Sequence, residues 1–374
     1  MSIAVNAVEP AIRLSGLTKV FPGSGAPAVD GLSLDVPRGS TMVLVGPSGC
    51  GKTTTLKMIN RLIEPTAGTI EVDGRDVTNL PAHELRRGIG FVIQQIGLFP
   101  HRTIEANIAT VPKLLGWDKS RISSRVQELV EVVGLDRSVL KRYPPELSGG
   151  QQQRVGVARA LAADPPVLLM DEPYSAVDPI VRGRLQDDLL ALQGELHKTI
   201  VLVSHDIDEA IKLGDRVCVL NVGGIVEQVA RPADLLAAPV NEFVAEFLGT
   251  DRGLRRLALL TVDELELKRG PVVERTAGGD EARAAMARAG TDWFGIVEDE
   301  RLVGWAPSSG LDGRASLAEV ETRRFSAGVY GHDTLRTTLD RIVSSDTFVA
   351  IVEDADGRYR GMVTIEQIGR GSRA

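Results

Sequence analysis

Cysteine is nearly absent from this chain of 374 residues, which contains only Cys50 and Cys218. Neither belongs to a C-x-x-C pair or to a Cys/His cluster, so the sequence has no metal-binding spacing of that kind. No apolar run approaches the roughly 18 residues of a membrane-spanning helix, and residues 1–10 lack the basic-then-apolar order of a signal peptide. We therefore expect a cytoplasmic protein in which both thiols are reduced.

A strong charge of either sign is also missing. The chain has 43 lysine and arginine residues against 50 aspartate and glutamate residues, which gives a formal net charge of −7. Charged residues make up 25% of the chain and apolar residues 43%. This balance excludes a disordered chain and gives no overall attraction to nucleic acid. At about 150 residues per domain, the length predicts two or three domains.

Residues 1 to about 248 alternate short apolar strands with amphipathic helices, which predicts an α/β domain with a largely parallel sheet. Three apolar runs, at 41–45, 167–170 and 199–204, are each followed by polar residues. Because open α/β sheets bind ligands at the carboxyl ends of their strands, we expect the functional site there. From about 102 to 162 the apolar spacing is helical, which predicts an inserted helical subdomain.

The last hundred residues contain an internal repeat. The sequence Ile-Val-Glu-Asp occurs at 296–299 and again at 351–354. Each copy follows a helix-like segment and precedes a second short strand, so we predict a β-α-β-type unit used twice within 276–374. The arginine- and glutamate-rich stretch 249–275 has weak periodicity, and we interpret it as a connector with some helix.

Residues 46–53 read Gly-Pro-Ser-Gly-Cys-Gly-Lys-Thr and lie between an apolar strand and a helix, which predicts a P-loop. The backbone N–H groups of such a loop surround a phosphate, and the following helix presents its N-terminus. We expect Lys52 to reach the β- and γ-phosphates and the Thr53 hydroxyl to ligate Mg²⁺. Cys50 is interpreted as structural. The candidate nucleotide-binding residues are Gly46, Pro47, Ser48, Gly49, Cys50, Gly51, Lys52, Thr53 and Thr54.

Two adjacent carboxylates, Asp171 and Glu172, follow the apolar run at 167–170. Such a pair is commonly a solvated loop, but a P-loop upstream favours phosphoryl-transfer chemistry. Asp171 is then placed to hold Mg²⁺ through water, and Glu172 to polarise the water that attacks the γ-phosphate. His205 also ends a strand; by itself it indicates a satisfied polar residue more often than a catalytic one.

These motifs together resemble the ATP-binding-cassette (ABC) ATPases. The sequence Leu-Ser-Gly-Gly-Gln at 147–151 is similar to the signature of that family, which other P-loop enzymes lack. The resemblance makes Gln94 the Q-loop glutamine, 175–178 the D-loop with its Asp178, and His205 the switch histidine. Phe21 matches the aromatic residue that stacks on adenine. Val177 stands where the family usually has leucine, which is a conservative change.

The resemblance implies a RecA-like P-loop core with a helical subdomain, ATP and Mg²⁺ as cofactors, and Glu172 and His205 as catalytic residues. The Ser-Gly-Gly turn offers a second set of backbone N–H donors for phosphate, in addition to the P-loop. Because one nucleotide would then have two phosphate-binding segments, the pattern suggests that two chains take part. The resemblance therefore implies a homodimer in which each signature closes over the partner's ATP. The trans residues would be Leu147, Ser148, Gly149, Gly150 and Gln151, and the magnesium ligands Thr53, Gln94 and Asp171.

The paired C-terminal units resemble tandem CBS domains, which would form an α+β domain after the ATPase. A single cassette followed by such a pair resembles the ATPase subunits of osmoprotectant importers for glycine betaine, choline, carnitine or proline. Segment 97–108 resembles the importer region that touches the membrane partner. The resemblance implies a peripheral protein on the cytoplasmic face of the plasma membrane, with an integral permease, an extracytoplasmic or fused substrate-binding protein, and no nucleic acid as partners.

Two alternatives remain open: an importer for another solute, and a soluble ABC ATPase that acts on DNA or ribosomes. The interval between Lys52 and Asp171 has room for a helical subdomain but not for long coiled coils, and the P-loop motif occurs once. Both features count against the second alternative. Aromatic residues make up only 4% of the chain and form no cluster, so we expect the partner subunits to recognise a quaternary ammonium solute.

We expect the C-terminal repeats to gate transport. CBS modules that hold a nucleotide often carry a Gly-x-x-Thr/Ser-x-x-Asp pattern, but 361–367 has Gln367 in place of the acid, and the first repeat keeps little beyond Gly304. Both departures count against nucleotide sensing. The other mechanism known in the family is sensing of ionic strength at an anionic membrane. The candidate arginines for it are Arg252, Arg255, Arg256, Arg323 and Arg324.

Overall fold

The computed structural model describes residues 9–94, 97–175, 177–311 and 316–371. The chain forms two compact units that meet in sequence between Leu248 and Gly249. Over the described ranges, no helix has both the length and the apolar character needed to cross a membrane.

The first unit contains two sheets. The larger has the strand order β10-β9-β3-β8-β7-β6, and its neighbouring strands are parallel except for β9 and β10. The smaller sheet, β2-β1-β4-β5, is antiparallel. The strands are β1 (Ile12–Lys19), β2 (Val29–Val36), β3 (Thr41–Val45), β4 (Ala67–Val72), β5 (Arg75–Asp76), β6 (Ile89–Val92), β7 (Val167–Asp171), β8 (Thr199–Val203), β9 (Arg216–Asn221) and β10 (Ile225–Ala230).

The larger sheet is the parallel sheet that the apolar runs predict. Strands β3, β7 and β8 are buried at every position, as expected for central strands covered on both faces. The antiparallel sheet was not predicted. Pairing between β1 and β2 is irregular between Leu14 and Leu17, and this break interrupts the alternation of apolar and polar residues by which a sequence reveals a strand.

The helices of the first unit from α3 to α6 lie within the predicted helical subdomain. In α5, the buried residues Ile122, Val126, Leu129 and Val130 recur at helical spacing on one face. The Asp118 side chain caps this helix by accepting a hydrogen bond from the Arg121 backbone N–H. The helices are α1 (Lys52–Ile59), α2 (Ala82–Arg87), α3 (Ile104–Ile108), α4 (Thr110–Leu114), α5 (Lys119–Val132), α6 (Gly149–Leu161), α7 (Pro179–Leu196), α8 (Ile207–Leu213), α9 (Pro232–Ala237) and α10 (Glu242–Leu248).

The second unit contains the predicted repeat. Two three-stranded sheets, β11-β12-β13 and β14-β15-β16, have the same order, with a parallel pair followed by an antiparallel hairpin. A helix, α12 or α13, follows the first strand of each sheet. The elements are α11 (Arg252–Leu257), β11 (Val272–Glu274), α12 (Gly279–Ala289), β12 (Trp293–Glu298), β13 (Arg301–Pro307), β14 (Gly328–Tyr330), α13 (Leu335–Val343), β15 (Val349–Glu353), β16 (Tyr359–Thr364) and α14 (Ile365–Gly371).

The stretch 249–275, expected to be a connector, packs as part of these repeats. Leu257 and Val262 lie in the core of the second repeat, and Lys268 pairs with Met362 of β16. Strand β11 then completes the sheet of the first repeat. Three residues are too few for a strand to show a periodic pattern, which is why the sequence indicated only a connector.

Candidate nucleotide-binding site

Three glycines give the P-loop its shape between β3 and α1. Gly46, Gly49 and Gly51 have φ angles of 151°, 81° and 99°, a region that residues with a Cβ rarely adopt. A Cβ on Gly46 would overlap the carbonyl oxygen of Leu220, and one on Gly51 would lie 2.7 Å from that of Ala28. The backbone of the loop is therefore free to bend around a phosphate only because these positions are glycine.

Lys52 begins α1 and its side chain turns back into the P-loop. Its ammonium donates hydrogen bonds to the carbonyl oxygens of Gly46 (2.8 Å) and Pro47 (3.0 Å). The Sγ atom of Cys50 lies 3.6 Å from the same ammonium and is fully buried in the core. This arrangement places a positive charge within the P-loop, where it would attract bound phosphates.

Thr53 and Asp171 meet at the end of the P-loop. The Thr53 hydroxyl donates a hydrogen bond of 2.7 Å to Asp171 Oδ1, and the Asp171 side chain is buried at the end of β7. A hydroxyl and a carboxylate oxygen are the hard ligands that Mg²⁺ prefers. These two side chains therefore fit a magnesium ion bound beside the phosphates.

Glu172 is the residue on which the remaining polar groups converge. Its φ is 44°, an unfavourable angle for a residue with a side chain, and its backbone N–H donates to Val203 of the neighbouring strand. Glu172 Oε2 accepts a hydrogen bond of 2.9 Å from Gln94 Nε2 and lies 3.5 Å from His205 Nδ1. The structure thus brings Gln94 to the predicted catalytic carboxylate rather than into hydrogen-bond contact with Thr53 or Asp171.

Residues of the P-loop, Glu172 and His205 line one cavity of about 450 Å³. His205 is 60% exposed and Glu172 21% exposed, so both side chains are reachable from solvent. The lining residues are Ala28, Ser48, Gly49, Gly51, Lys52, Thr53, Thr54, Glu172 and His205.

The predicted signature and D-loop lie at helix N-termini, and their described residues are not among those that line this cavity. Ser148 caps α6: its Oγ accepts from the Gln151 N–H (3.3 Å), and Gln151 Oε1 accepts from the Ser148 N–H (3.0 Å). Asp178 caps α7 by accepting from the Ile180 N–H. Ala176 of the D-loop lies outside the described residues.

Phe21 also lies outside the lining of the cavity. Its ring is 38% exposed, and the ammonium of Lys19 lies 5.2 Å from the ring centroid. Stacking of Phe21 on adenine therefore stays a prediction.

One polar residue near the site, Glu209, was not predicted from the sequence. Glu209 lies on the buried face of α8 together with Ile207, Ala210 and Ile211. An acidic residue on an otherwise apolar helix face is the signal that could have revealed it, because buried carboxylates need partners.

Comparison with known proteins identifies the family of this chain. Residues 29–175 match the family model described as ABC transporter. The osmoprotectant import ATP-binding protein OsmV of Salmonella typhimurium is 48% identical over 373 residues, which cover 96% of this chain and 95% of that protein. The chain belongs to the ABC transporter family. The choline transport ATP-binding protein OpuBA of Bacillus subtilis is 44% identical over 94% of both chains.

The ABC cassette of this chain also resembles solved structures. The dimeric structure of a bacterial ABC transporter cassette has a TM-score of 0.54 and 34% identity, and the match covers 59% of this chain and 98% of that one. The same values hold for a dimeric post-hydrolysis structure bound to ADP and Pi. These likenesses confirm the predicted P-loop fold of the ABC type.

The ABC family assigns this chain to the ATP-binding subunits, which are ATPases coupled to transport. The similarity to OsmV and OpuBA covers nearly the whole chain and so extends into the C-terminal unit. The predicted importer ATPase is thereby supported over the alternative that acts on DNA or ribosomes.

Proposed function

We propose that this protein hydrolyses ATP to power the import of a compatible solute of the glycine betaine, choline, carnitine or proline type. One observation carries the proposal: the protein is 48% identical to an osmoprotectant import protein over 96% of its length. The choline protein OpuBA and the glycine betaine uptake protein YehX of Escherichia coli, which is 50% identical over 67% of this chain, support the same class of solute.

In the proposed reaction, the P-loop backbone and Lys52 bind the phosphates of ATP. Thr53 and Asp171 would hold Mg²⁺, which would neutralise charge that develops on the γ-phosphate. Gln94, the third predicted magnesium ligand, donates a hydrogen bond to Glu172. Glu172 orients the attacking water and accepts its proton. His205, beside the same carboxylate oxygen, stabilises the transferring phosphoryl group.

The proposed active form is a homodimer. Gly149 and Gly150 present backbone N–H groups at the start of α6, and like Ser148 they lie outside the cavity lining of their own chain, where a partner's ATP could meet them. The dimeric solved cassettes support this arrangement. An integral permease, a substrate-binding protein and a position on the cytoplasmic face of the membrane complete the proposal.

The C-terminal unit is proposed to gate transport as a CBS-like pair. Gln367 Oε1 accepts a hydrogen bond from the Thr364 N–H (3.0 Å), and Gln367 Nε2 donates to the Glu266 carbonyl oxygen (2.7 Å). Both ends of this amide are therefore occupied where a nucleotide-binding repeat would offer a carboxylate to ribose. This pairing favours ionic strength over a nucleotide as the signal.

Solute uptake by the assembled transporter tests the proposal. The protein would be reconstituted with its permease and binding protein in vesicles, with Lys52→Ala as the inactive control. We expect ATP-dependent uptake of glycine betaine, choline, carnitine or proline at least tenfold above that control, and more at high osmolarity. Uptake of only an unrelated solute would establish the other importer class. A native pull-down that yields ribosomal protein or DNA instead of a permease would refute transport altogether.

A further inference from the structure

Glu209 is a buried acidic residue that contacts the segment carrying His205. It lies on α8 with 7% of its surface exposed, and burial raises the pKa of its carboxyl group above the usual value. Burying such a group is unfavourable unless its oxygens have hydrogen-bond partners. The hydrogen-bond partners of Glu209 therefore indicate its role.

The first partner is Ser204, the residue immediately before His205. The Ser204 hydroxyl donates a hydrogen bond to Glu209 Oε2, and Ser204 Oγ also accepts from the Asp206 N–H at 2.9 Å. The Ser204 N–H donates to the Leu44 carbonyl oxygen on β3, the strand that leads into the P-loop. Residues on both sides of His205 are thus fixed through one hydroxyl group.

The second partner connects Glu209 with α7, which begins after the D-loop. Gln186 is buried on this helix, and its Nε2 atom lies 3.4 Å from Glu209 Oε1, at the long end of hydrogen bonding. Tyr174, two residues after Glu172, is buried nearby. Burial is the main cause that raises the pKa of its phenol, and the charge of Glu209 adds to it. Glu209 therefore adjoins the segments that carry His205, Asp178 and Glu172.

We propose that Glu209 is a positioning residue that holds the His205 loop against α7 and so keeps His205 beside Glu172. This inference rests on the proposed ATP hydrolysis but not on the identity of the solute. Without the Glu209 carboxylate, Ser204 and Gln186 each lose a buried acceptor, and the peptide around His205 is freed to move. The P-loop is untouched by this change, since its contacts come from other residues.

Steady-state ATP hydrolysis and nucleotide binding by the full chain test this role. In Glu209→Ala, we expect kcat to fall about tenfold or more, while KM and the affinity for a fluorescent ATP analogue change less than twofold. Glu209→Gln keeps an acceptor for Ser204, and Gln186 can turn its amide to match, so at least half of kcat should remain. Glu195→Ala removes an exposed glutamate from α7 and serves as the matched control, with no effect expected.

The Ser204→Ala variant gives an independent measurement, because it removes one hydroxyl group and leaves the helices intact. It should lower kcat as Glu209→Ala does, and the double variant should be no slower than either single variant, since all three break the same connection. The proposal is overturned if Glu209→Ala retains kcat within twofold, if nucleotide affinity falls in parallel with kcat, or if the two losses multiply. Failure of ATP hydrolysis in the unmodified chain would instead refute the proposed function.

Discussion

At the scale of single residues, the candidate site separates the residues proposed to bind phosphate from those proposed to activate water. Lys52 is embedded among the carbonyl oxygens of the P-loop, whereas Glu172 contacts Gln94 and His205. The two groups of contacts share no residue. Substitutions in each group should therefore have different effects on nucleotide binding and on hydrolysis.

The variants Lys52→Ala and Glu172→Gln should lose hydrolysis for different reasons. Lys52→Ala removes the positive charge that binds the phosphates, so nucleotide affinity should fall at least tenfold together with activity. Glu172→Gln keeps the shape of the side chain but cannot accept a proton from water, so kcat should fall at least a hundredfold while ATP remains bound. Size-exclusion chromatography with ATP should then show Glu172→Gln as a dimer. A monomeric elution with unbound ATP would contradict the role given to Glu172.

At the scale of helices and strands, the N-terminus of α6 holds the signature, and the loop at 97–103 leads into α3. Asn107 on α3 is fully buried, and its side chain makes four hydrogen bonds to the backbone of this loop. Its Oδ1 atom accepts from the Phe99 N–H, and its Nδ2 atom donates to the carbonyl oxygens of Phe99, Arg102 and Thr103. A single side chain thus sets the conformation of the segment expected to meet the permease.

Removing this side chain should loosen the loop while leaving the P-loop unchanged. We expect Asn107→Ala to lower the free energy of unfolding by about 2 kcal/mol, because partly buried carbonyl groups lose their hydrogen-bond donor. Trypsin should also cleave after Arg102 several-fold faster, which limited proteolysis with mass spectrometry would measure. Asn79→Ala, at an exposed position, is the control. Equal cleavage rates in the two variants would show that Asn107 does not hold the loop.

The signature at α6 should act on the nucleotide of the partner chain. A Ser148→Arg chain keeps its P-loop but has a blocked signature, and a Lys52→Ala chain has the opposite defect. Mixing them should restore one complete site per heterodimer, with ATPase activity about half that of the unmodified dimer if the two sites act independently. Ser138→Arg, an exposed substitution in the helical subdomain, should be active by itself. A mixture no more active than its components would argue against independent sites shared between chains.

Elements with a strong local signal could be predicted from the sequence, and elements defined by distant contacts could not. The P-loop and its flanking strand have a motif and a fully apolar run, and both are found where predicted. Strand β1 has an irregular register that hides its pattern, and β11 is too short to have one. The contact between Gln94 and Glu172 joins residues far apart in the chain, so only the fold reveals it.

At the scale of the whole molecule, the ATPase unit and the C-terminal unit have separate hydrophobic cores. The second unit has arginines at 252, 255 and 256 on α11. Attraction between such side chains and an anionic membrane weakens as salt shortens the Debye length, which is about 8 Å at physiological ionic strength. The proposed gate would therefore respond to salt through a local patch.

Truncation after residue 250 should separate catalysis from gating. We expect the truncated protein to retain ATPase activity and dimerisation within about twofold, because its own core is complete. Uptake in vesicles with anionic lipid should become insensitive to internal salt, whereas the full chain should respond severalfold. A full-length variant with Arg252, Arg255 and Arg256 changed to glutamine tests whether the patch itself is the sensor. If uptake by the truncated protein still depended on internal salt, the gating hypothesis would be refuted.

The scarcity and burial of cysteine also make this chain suited to site-specific labelling. Cys50 and Cys218 are both completely buried, and burial raises the pKa of the Cys218 thiol to about 12. Because both side chains are shielded from solvent, neither is accessible to a maleimide in the folded protein. The raised pKa of Cys218 also lowers the fraction of its reactive anion. A cysteine placed at an exposed position of α7 or of the loop at 97–103 would then take up a fluorophore or spin label without prior removal of the native cysteines. Distances between such labels could follow closure of the dimer during turnover.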